Sequence, residues 1–427
     1  MPIIVMFLSL LLFMVAKVSL AISMVLSVIF YILLDGRFSY TIMAERITSA
    51  LDSFPYLAIP FFILAAEIMN RGKISDRIYD FASVLVGHIR GGLGQVNVLG
   101  SMIFAGMSGS AAADVAGLGA LEIKAMKAEG YDSGFSAAVT AVSSTIGPII
   151  PPSILFVIYG VMAQVSVGHL FAAGIIPGIL MGLTFMTTIY IMASRGHVKG
   201  RLRKRPSWRE VVKASIRVLP PLFTPIILMG GMFIGEFTPT EAGAVCVFYA
   251  LFLGFVYRDI RIRDIYDILK KGALDSAKVS FLIAAASIFG WIVTQEQIGH
   301  KAYQIIEGYG FKPWIVILLI NVLLIFAGMF IEGVAMLTIS VPVFLPILPS
   351  IGMDPVTFGV LLTLLVMIGF LTPPVGIGTY IAVAIADCPV EDVVRAELPF
   401  YVPLFVMLIL ISFIPSLTLY LPRLLFG

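Results

Sequence analysis

Two long apolar zones of this chain are broken in their middles by Gly and Pro, and the breaks recur at one constant spacing. Ser136 to Ala163 is interrupted at Gly147-Pro148 and Pro151-Pro152, and Val356 to Ala386 at Gly369 and Pro373-Pro374. A shift of 222 residues sets Ile146-Gly147 on Ile368-Gly369 and Pro151-Pro152 on Pro373-Pro374. Without a gap it also pairs Ile103-Phe104-Ala105-Gly106-Met107 with Ile325-Phe326-Ala327-Gly328-Met329, Gly130 with Gly352, Asp132 with Asp354, and Pro177 with Pro399. Apolar matches arise easily by chance, but Gly and Pro punctuation at a fixed offset does not, so the chain is a duplicated unit.

Composition then fixes the solvent. Of 427 residues, 59% are hydrophobic and 12% charged, about half the usual charged fraction of globular chains, so lipid must surround most of the protein. It reads as an all-α polytopic membrane protein. Two cysteines and four scattered histidines provide neither a disulfide framework nor a metal site. The net charge of +3 resides in loops beside apolar segments and gives no indication of nucleic acid.

Ordinary crossings are expected at Met1 to Ala16, Val18 to Leu34, Ser53 to Asn70, Val167 to Ser194, Val218 to Gly235, Thr240 to Tyr257, Ala273 to Thr294 and Leu398 to Leu425. The first reads as a retained helix, because no basic residue precedes it and a second apolar run follows at once. Gly92 to Ala128 and Pro313 to Pro349 each hold two short apolar runs around a Gly-containing tip. A run of about 14 residues reaches about 21 Å, short of the roughly 30 Å hydrocarbon core, so each pair reads as a re-entrant hairpin. Tightly turned full crossings are the alternative.

Each half then holds five crossings and one hairpin, an odd number that inverts the second copy. Residues 1–194 form the first repeat (hairpin 92–128, broken helix 136–163), 195–217 a basic connector, and 218–427 the second repeat (hairpin 313–349, broken helix 356–386). Charge agrees: Arg71, Lys73, Arg77, Arg90, Lys124 and Lys127 flank the first hairpin, whereas only Lys301 and Lys312 flank the second. By the positive-inside rule the first enters from the cytoplasm and the second from outside. Arg195 to Arg217 and Arg258 to Lys278, both rich in Lys and Arg, then fall in the cytoplasm. Phe38 to Leu51 and Ile260 to Leu269 read as amphipathic helices along the interface, with ordinary loop helices bearing a solvated face as the alternative.

Unpaired backbone groups cost several kcal/mol in hydrocarbon, so breaks at mid-depth persist only where protein, water or ligand satisfies them. Each hairpin tip is expected to meet a helix break there, giving two cation sites related by a pseudo-two-fold axis. The first draws on Ser108, Gly109, Ser110, Asp114, Thr145 and Gly147, a hard-oxygen set suited to sodium. The second draws on Gly328, Glu332, Gly333, Gly369 and Thr372, with fewer hydroxyls. Ser143, Ser144, Pro148 and Pro373 are the expected substrate contacts. Asp114 and Glu332 can ligate sodium, carry a proton or cap a hairpin helix. Glu67 reads as an interfacial residue, and Gly117, Gly119 and Gly182 as close-packing positions. With no Lys or Arg in either break, an anionic substrate would rely on helix N-termini, hydroxyls and bound cations.

The runs Gly106-Met107-Ser108-Gly109-Ser110, Ser144-Thr145-Ile146-Gly147-Pro148-Ile149-Ile150-Pro151-Pro152-Ser153, Phe237-Thr238-Pro239-Thr240-Glu241-Ala242 and Leu371-Thr372-Pro373-Pro374-Val375-Gly376 carry a resemblance that extends over nearly the full chain. It resembles the large membrane subunit of tripartite ATP-independent periplasmic (TRAP) transporters. The resemblance implies uptake of an organic acid driven by a Na+ gradient, across a bacterial inner membrane, by an elevator motion and without an organic cofactor. It also implies two separate partner polypeptides, a small four-helix membrane subunit and a periplasmic substrate-binding protein. Two positions depart from the family pattern: Leu365 where an Asn is common, which removes an amide near the second cation site, and Glu332 where Asp is more usual. A self-sufficient sodium/divalent-anion symporter is the nearest rival. A channel would need a continuous polar pore, and an intramembrane enzyme a nucleophile and base at one depth; neither is evident in the sequence.

Overall fold

The structure is a computed structural model that describes residues 2–52, 54–71, 74–198, 203–308 and 310–427. Ser53 at the start of one expected crossing, Lys73 on the first hairpin flank, and residues 199–202 of the basic connector lie outside the described residues. Among the described residues every regular element is helical. Six helices among the described residues are long and apolar enough to cross a membrane: Val167–Ser194, Trp208–Ile234, Pro239–Val256, Ile262–Gln295, Gly333–Ile351 and Val390–Phe413.

The duplicated unit is visible element by element. In the first copy a hairpin runs in along Leu93–Ser108 and back along Ala111–Ala116 and Leu118–Ala128, and the broken helix follows as Ser133–Ser144 and Ile154–Ala163. In the second, Pro313–Gly328 and Gly333–Phe344 form the hairpin, and Pro355–Leu371 and Ile377–Ala386 the broken helix. The 222-residue shift carries each element onto its counterpart. Packing is reciprocal: Ile154–Ala163 lies against the return arm of the second hairpin, and Ile377–Ala386 against the return arm of the first. Likewise Ser133–Ser144 packs on Val390–Phe413, and Pro355–Leu371 on Val167–Ser194.

These elements share one large core, including Phe104, Phe156, Phe171, Phe358 and Phe400. A separate cluster joins the N-terminal helices Pro2–Val15 and Leu20–Asp35 to the last turns of Ile262–Gln295 through Met24, Tyr31, Phe289 and Ile292. The N-terminal helices thus adhere chiefly to one long helix, and Met162 of the first broken helix with Ile339 and Val343 of the second hairpin packs against the edge of that cluster.

Four features differ from the sequence reading. The interface stretch at Ile260 to Leu269 and the crossing after it form one continuous 34-residue helix, Ile262–Gln295. The first copy does separate Tyr40–Leu51 from Ala58–Arg71, and Pro55, which has no N–H to continue a helical ladder, stands between them. No proline falls within 262–295. Gly369 is helical, and the second break begins only at Thr372. The second return arm, extended through a 3₁₀ turn at Leu345–Ile347 to Ile351, is longer than the short run expected, yet Pro313–Gly328 packs along both of its ends. Finally, each copy carries an amphipathic helix before its hairpin, Ile74–Val86 and Ile298–Gly308, overlapping at the same 222-residue offset.

Candidate functional site

The first tip is shaped by two residues. Gly109 adopts the left-handed conformation (φ 58°) that ends Leu93–Ser108, and Ser110 caps the next helix by accepting from the Ala113 N–H at 3.4 Å. A Cβ on Gly109 would run into the Pro152 carbonyl and lie 3.3 Å from the Ile154 nitrogen. A Cβ on Gly147 would stand 3.5 Å from the Ala111 nitrogen. The first tip therefore meets the first break backbone to backbone, an approach that requires a side-chain-free residue at Gly109.

The second tip meets its break in the same manner at Gly328 and Gly369, where a Cβ on Gly369 would fall 2.5 Å from the Gly328 carbonyl carbon. Glu332 is the N-cap of Gly333–Phe344 and accepts from the Ala335 N–H at 3.2 Å. Thr372, the C-cap of Pro355–Leu371, donates its hydroxyl to the Ile368 carbonyl at 2.6 Å.

Both tips open on one cavity of about 750 Å³. Gly109, Ser110, Pro148, Gly328, Glu332, Gly333 and Gly369 line it. Ser108, Asp114, Ser143, Ser144, Thr145, Gly147, Thr372 and Pro373 do not. Ser143 is fully buried, donating to Asn97 Oδ1 at 2.7 Å and accepting from Ser101 at 3.0 Å; Ser144 and Thr145 donate to the carbonyls of Ala141 and Val142. These hydroxyls fasten the first break to its own helix and to the hairpin. Asp114 lies inside Ala111–Ala116, where Ser110 already holds the cap position; neither its carboxylate oxygens nor the Ser108 hydroxyl, all buried, has a hydrogen-bond partner among the described residues.

The opposite wall supplies charge that the two breaks lack. Glu67, Asn70, Arg71, Lys271 and Asp275 line the cavity from Ala58–Arg71 and Ile262–Gln295. Lys271 Nζ bonds Glu67 Oε2 at 2.6 Å, and Arg71 Nε approaches Glu67 Oε1 at 3.9 Å. Glu67 is thus a buried cavity residue. Its spacing of four from Arg71 was a local signal for an ion pair; Lys271, 204 residues away, left none. Sequence reasoning also passed over Glu122, buried on the return arm of the first hairpin with both carboxylate oxygens unpartnered and close to Gly100 of the inbound arm. Gly119 against Thr140 and Gly182 against Met102 are close-packing positions.

Residues 5–417 match the protein family described as tripartite ATP-independent periplasmic transporter, DctM component. The chain is 42% identical over 407 residues to the sialic acid TRAP transporter large permease protein SiaM of Vibrio cholerae serotype O1, covering 95% of each. It is 38% identical over 398 residues to the C4-dicarboxylate TRAP transporter large permease protein DctM of Pseudomonas aeruginosa, covering 92% of each. Among solved structures, the YdaH transporter of Alcanivorax borkumensis superposes with a TM-score of 0.63 at 14% identity, over 87% of each chain, a likeness of fold.

Proposed function

This chain belongs to the DctM component family of tripartite ATP-independent periplasmic transporters, and from that premise we propose that it imports an organic acid by sodium-coupled elevator transport. The coarser part needs no proposal: it is the large permease subunit of an uptake system and a multi-pass protein of the bacterial inner membrane. The observation that carries the finer reading is the joint cavity, where two hairpin tips and two helix breaks meet through glycine backbones.

In this reading the two repeats have opposite orientations in the bilayer. Sodium binds at the first tip through Ser108, Gly109, Ser110, Asp114, Thr145 and Gly147, and at the second through Gly328, Glu332, Gly333, Gly369 and Thr372. The buried, unpartnered oxygens of Ser108 and Asp114 support the first assignment, because hard oxygens suit sodium and isolated buried carboxylates are expensive. A carboxylate docks between the tips near Ser110 and Pro148, opposite Arg71 and Lys271, whose charge raises the local concentration of anions. Both relatives named above are named for carboxylic acids, sialic acid and C4-dicarboxylate. The hairpins and broken helices move as a unit against a scaffold that includes Ala58–Arg71, Pro239–Val256 and Ile262–Gln295. A periplasmic binding protein delivers substrate, a small membrane subunit completes the scaffold, and no catalytic step is involved.

Reconstitution tests this. Uptake into liposomes should require an inward sodium gradient, the small subunit and a loaded binding protein. Full uptake by this chain alone would favour a self-sufficient symporter, and uptake indifferent to sodium would refute the coupling.

A further inference from the structure

Behind the second break, on the side of Val390–Phe413, four oxygen-bearing residues converge. Glu397 is fully buried, and among the described residues no ion pair involves it. Its Oε1 accepts from the Thr379 hydroxyl at 2.8 Å, while Oε2 is buried with no hydrogen-bond partner. The same Thr379 hydroxyl lies 2.9 Å from the carbonyl of Leu371, the last residue of Pro355–Leu371. The Tyr401 hydroxyl, one turn beyond Glu397, is also buried, near both the Glu397 carboxylate and the Thr372 hydroxyl.

Two electrostatic facts make this arrangement unstable as it stands. A carboxylate faces the C-terminal end of a 17-residue helix, where aligned peptide dipoles concentrate negative charge. The Thr379 hydroxyl also has a single hydrogen to share between two acceptors. Fold alone does not demand these groups. The 222-residue offset puts Val157, Ile175 and Ile179 of the first copy at the positions of Thr379, Glu397 and Tyr401, so the first copy carries no oxygen-bearing side chain at any of the three.

We infer that Glu397, the Thr379 hydroxyl and the Leu371 carbonyl, with the Tyr401 hydroxyl beside them, form a third cation site that takes a sodium ion. A sodium ion satisfies all of these hard oxygens and balances both the carboxylate and the helix terminus. Val375 and Gly376, break residues that line the cavity, put the site within a few residues of it. Bound there, the ion holds the two halves of the second broken helix on Val390–Phe413. The inference rests on the sodium reading above for the identity of the ion.

The test is direct sodium counting on the purified full chain, with its small subunit if that is needed for purification, by equilibrium dialysis against radioactive sodium in a potassium background. Thermal unfolding across a sodium titration gives a second readout, since each coupled ion steepens the dependence of Tm on sodium. Glu397→Gln should bind one sodium fewer per chain and flatten the Tm dependence, with Tm in potassium alone preserved or raised. Thr379→Val and Tyr401→Phe, milder in shape, should weaken the same ion several-fold and serve if Glu397→Gln does not fold. Wild-type sodium counts in all three variants, with an unaltered Tm slope, would overturn the site while leaving sodium coupling intact. A wild-type chain that binds no sodium at all would overturn both.

Discussion

Gly328 and Gly369 touch backbone to backbone: the second hairpin crosses the end of the second broken helix with no side chain between them. A methyl group on Gly369 would lie 2.5 Å from the Gly328 carbonyl carbon and carbonyl oxygen, with no flexible side chain to yield. Gly369→Ala should therefore cost about 1–3 kcal/mol, the usual range for overpacking, and should abolish sodium-dependent uptake by separating tip from break. Thermal unfolding and liposome uptake check both. An alanine variant with normal stability and uptake would show that the close approach is dispensable.

Ser108→Ala, Asp114→Asn and Thr372→Ala address the tips without adding bulk. Each should weaken the sodium dependence of uptake about tenfold or more, while the amount of protein inserted in the membrane changes little, since Ser108→Ala and Thr372→Ala each remove a hard oxygen ligand and Asp114→Asn removes the charge of one. Uptake measured across a sodium titration separates the two effects. A full sodium response in all three would remove the assignment of the tip sites.

The scaffold wall makes a different prediction. Lys271 is more than half exposed, so losing its pair with Glu67 should alter stability by no more than about 1 kcal/mol. Lys271→Met should instead raise the substrate concentration needed for half-maximal uptake several-fold, and Lys271→Arg should restore most of it. Equal half-maximal concentrations in both variants would make the pair structural only.

Glu296, just beyond Ile262–Gln295, links the N-terminal helices to that long helix. Tyr31 donates to it at 2.6 Å and Arg37 at 2.5 Å. The Tyr31 hydrogen bond is the largest cause holding the Glu296 carboxyl below the ordinary glutamate range; burial opposes it, and the Arg37 bond and charge together with the Lys301 charge lower it further. A depressed folded value means that this contribution is present in full above the unfolded value and is lost as pH falls through the folded one. Hydrogen exchange in Leu20–Asp35 should therefore rise on acidification below the carboxylate range. Glu296→Gln should show faster exchange already at neutral pH and less further change with acid. An acid response identical in the wild type and Glu296→Gln would contradict this.

What was legible in the sequence was local backbone chemistry. Pro148, Pro151, Pro373 and Gly109 cannot sit unnoticed in an apolar helix, so the breaks and tips could be placed to within a few residues, and their common offset gave the repeat. Ile74–Val86 and Ile298–Gly308 escaped notice because their polar faces resemble loop and their length falls short of a crossing. Gly369 was misread as a helix end because a glycine there serves close approach instead of chain reversal. The cavity's second wall was hidden for another reason. Glu67 and Lys271 are partners only because two distant helices pack together, and Glu397 lies in a stretch whose apolar neighbours read as an ordinary crossing.

The most direct test of the account is the sidedness of the two hairpins. In a variant lacking Cys246 and Cys388, cysteines placed at Lys124 and Lys312, exposed positions flanking the first and second hairpins, can be challenged with a membrane-impermeant thiol reagent in vesicles of both orientations. The account predicts that Lys124→Cys reacts only from the cytoplasmic face and Lys312→Cys only from the periplasmic face. Labelling of both from one face would mean that the repeats are parallel, and the pseudo-two-fold site built from them would fall.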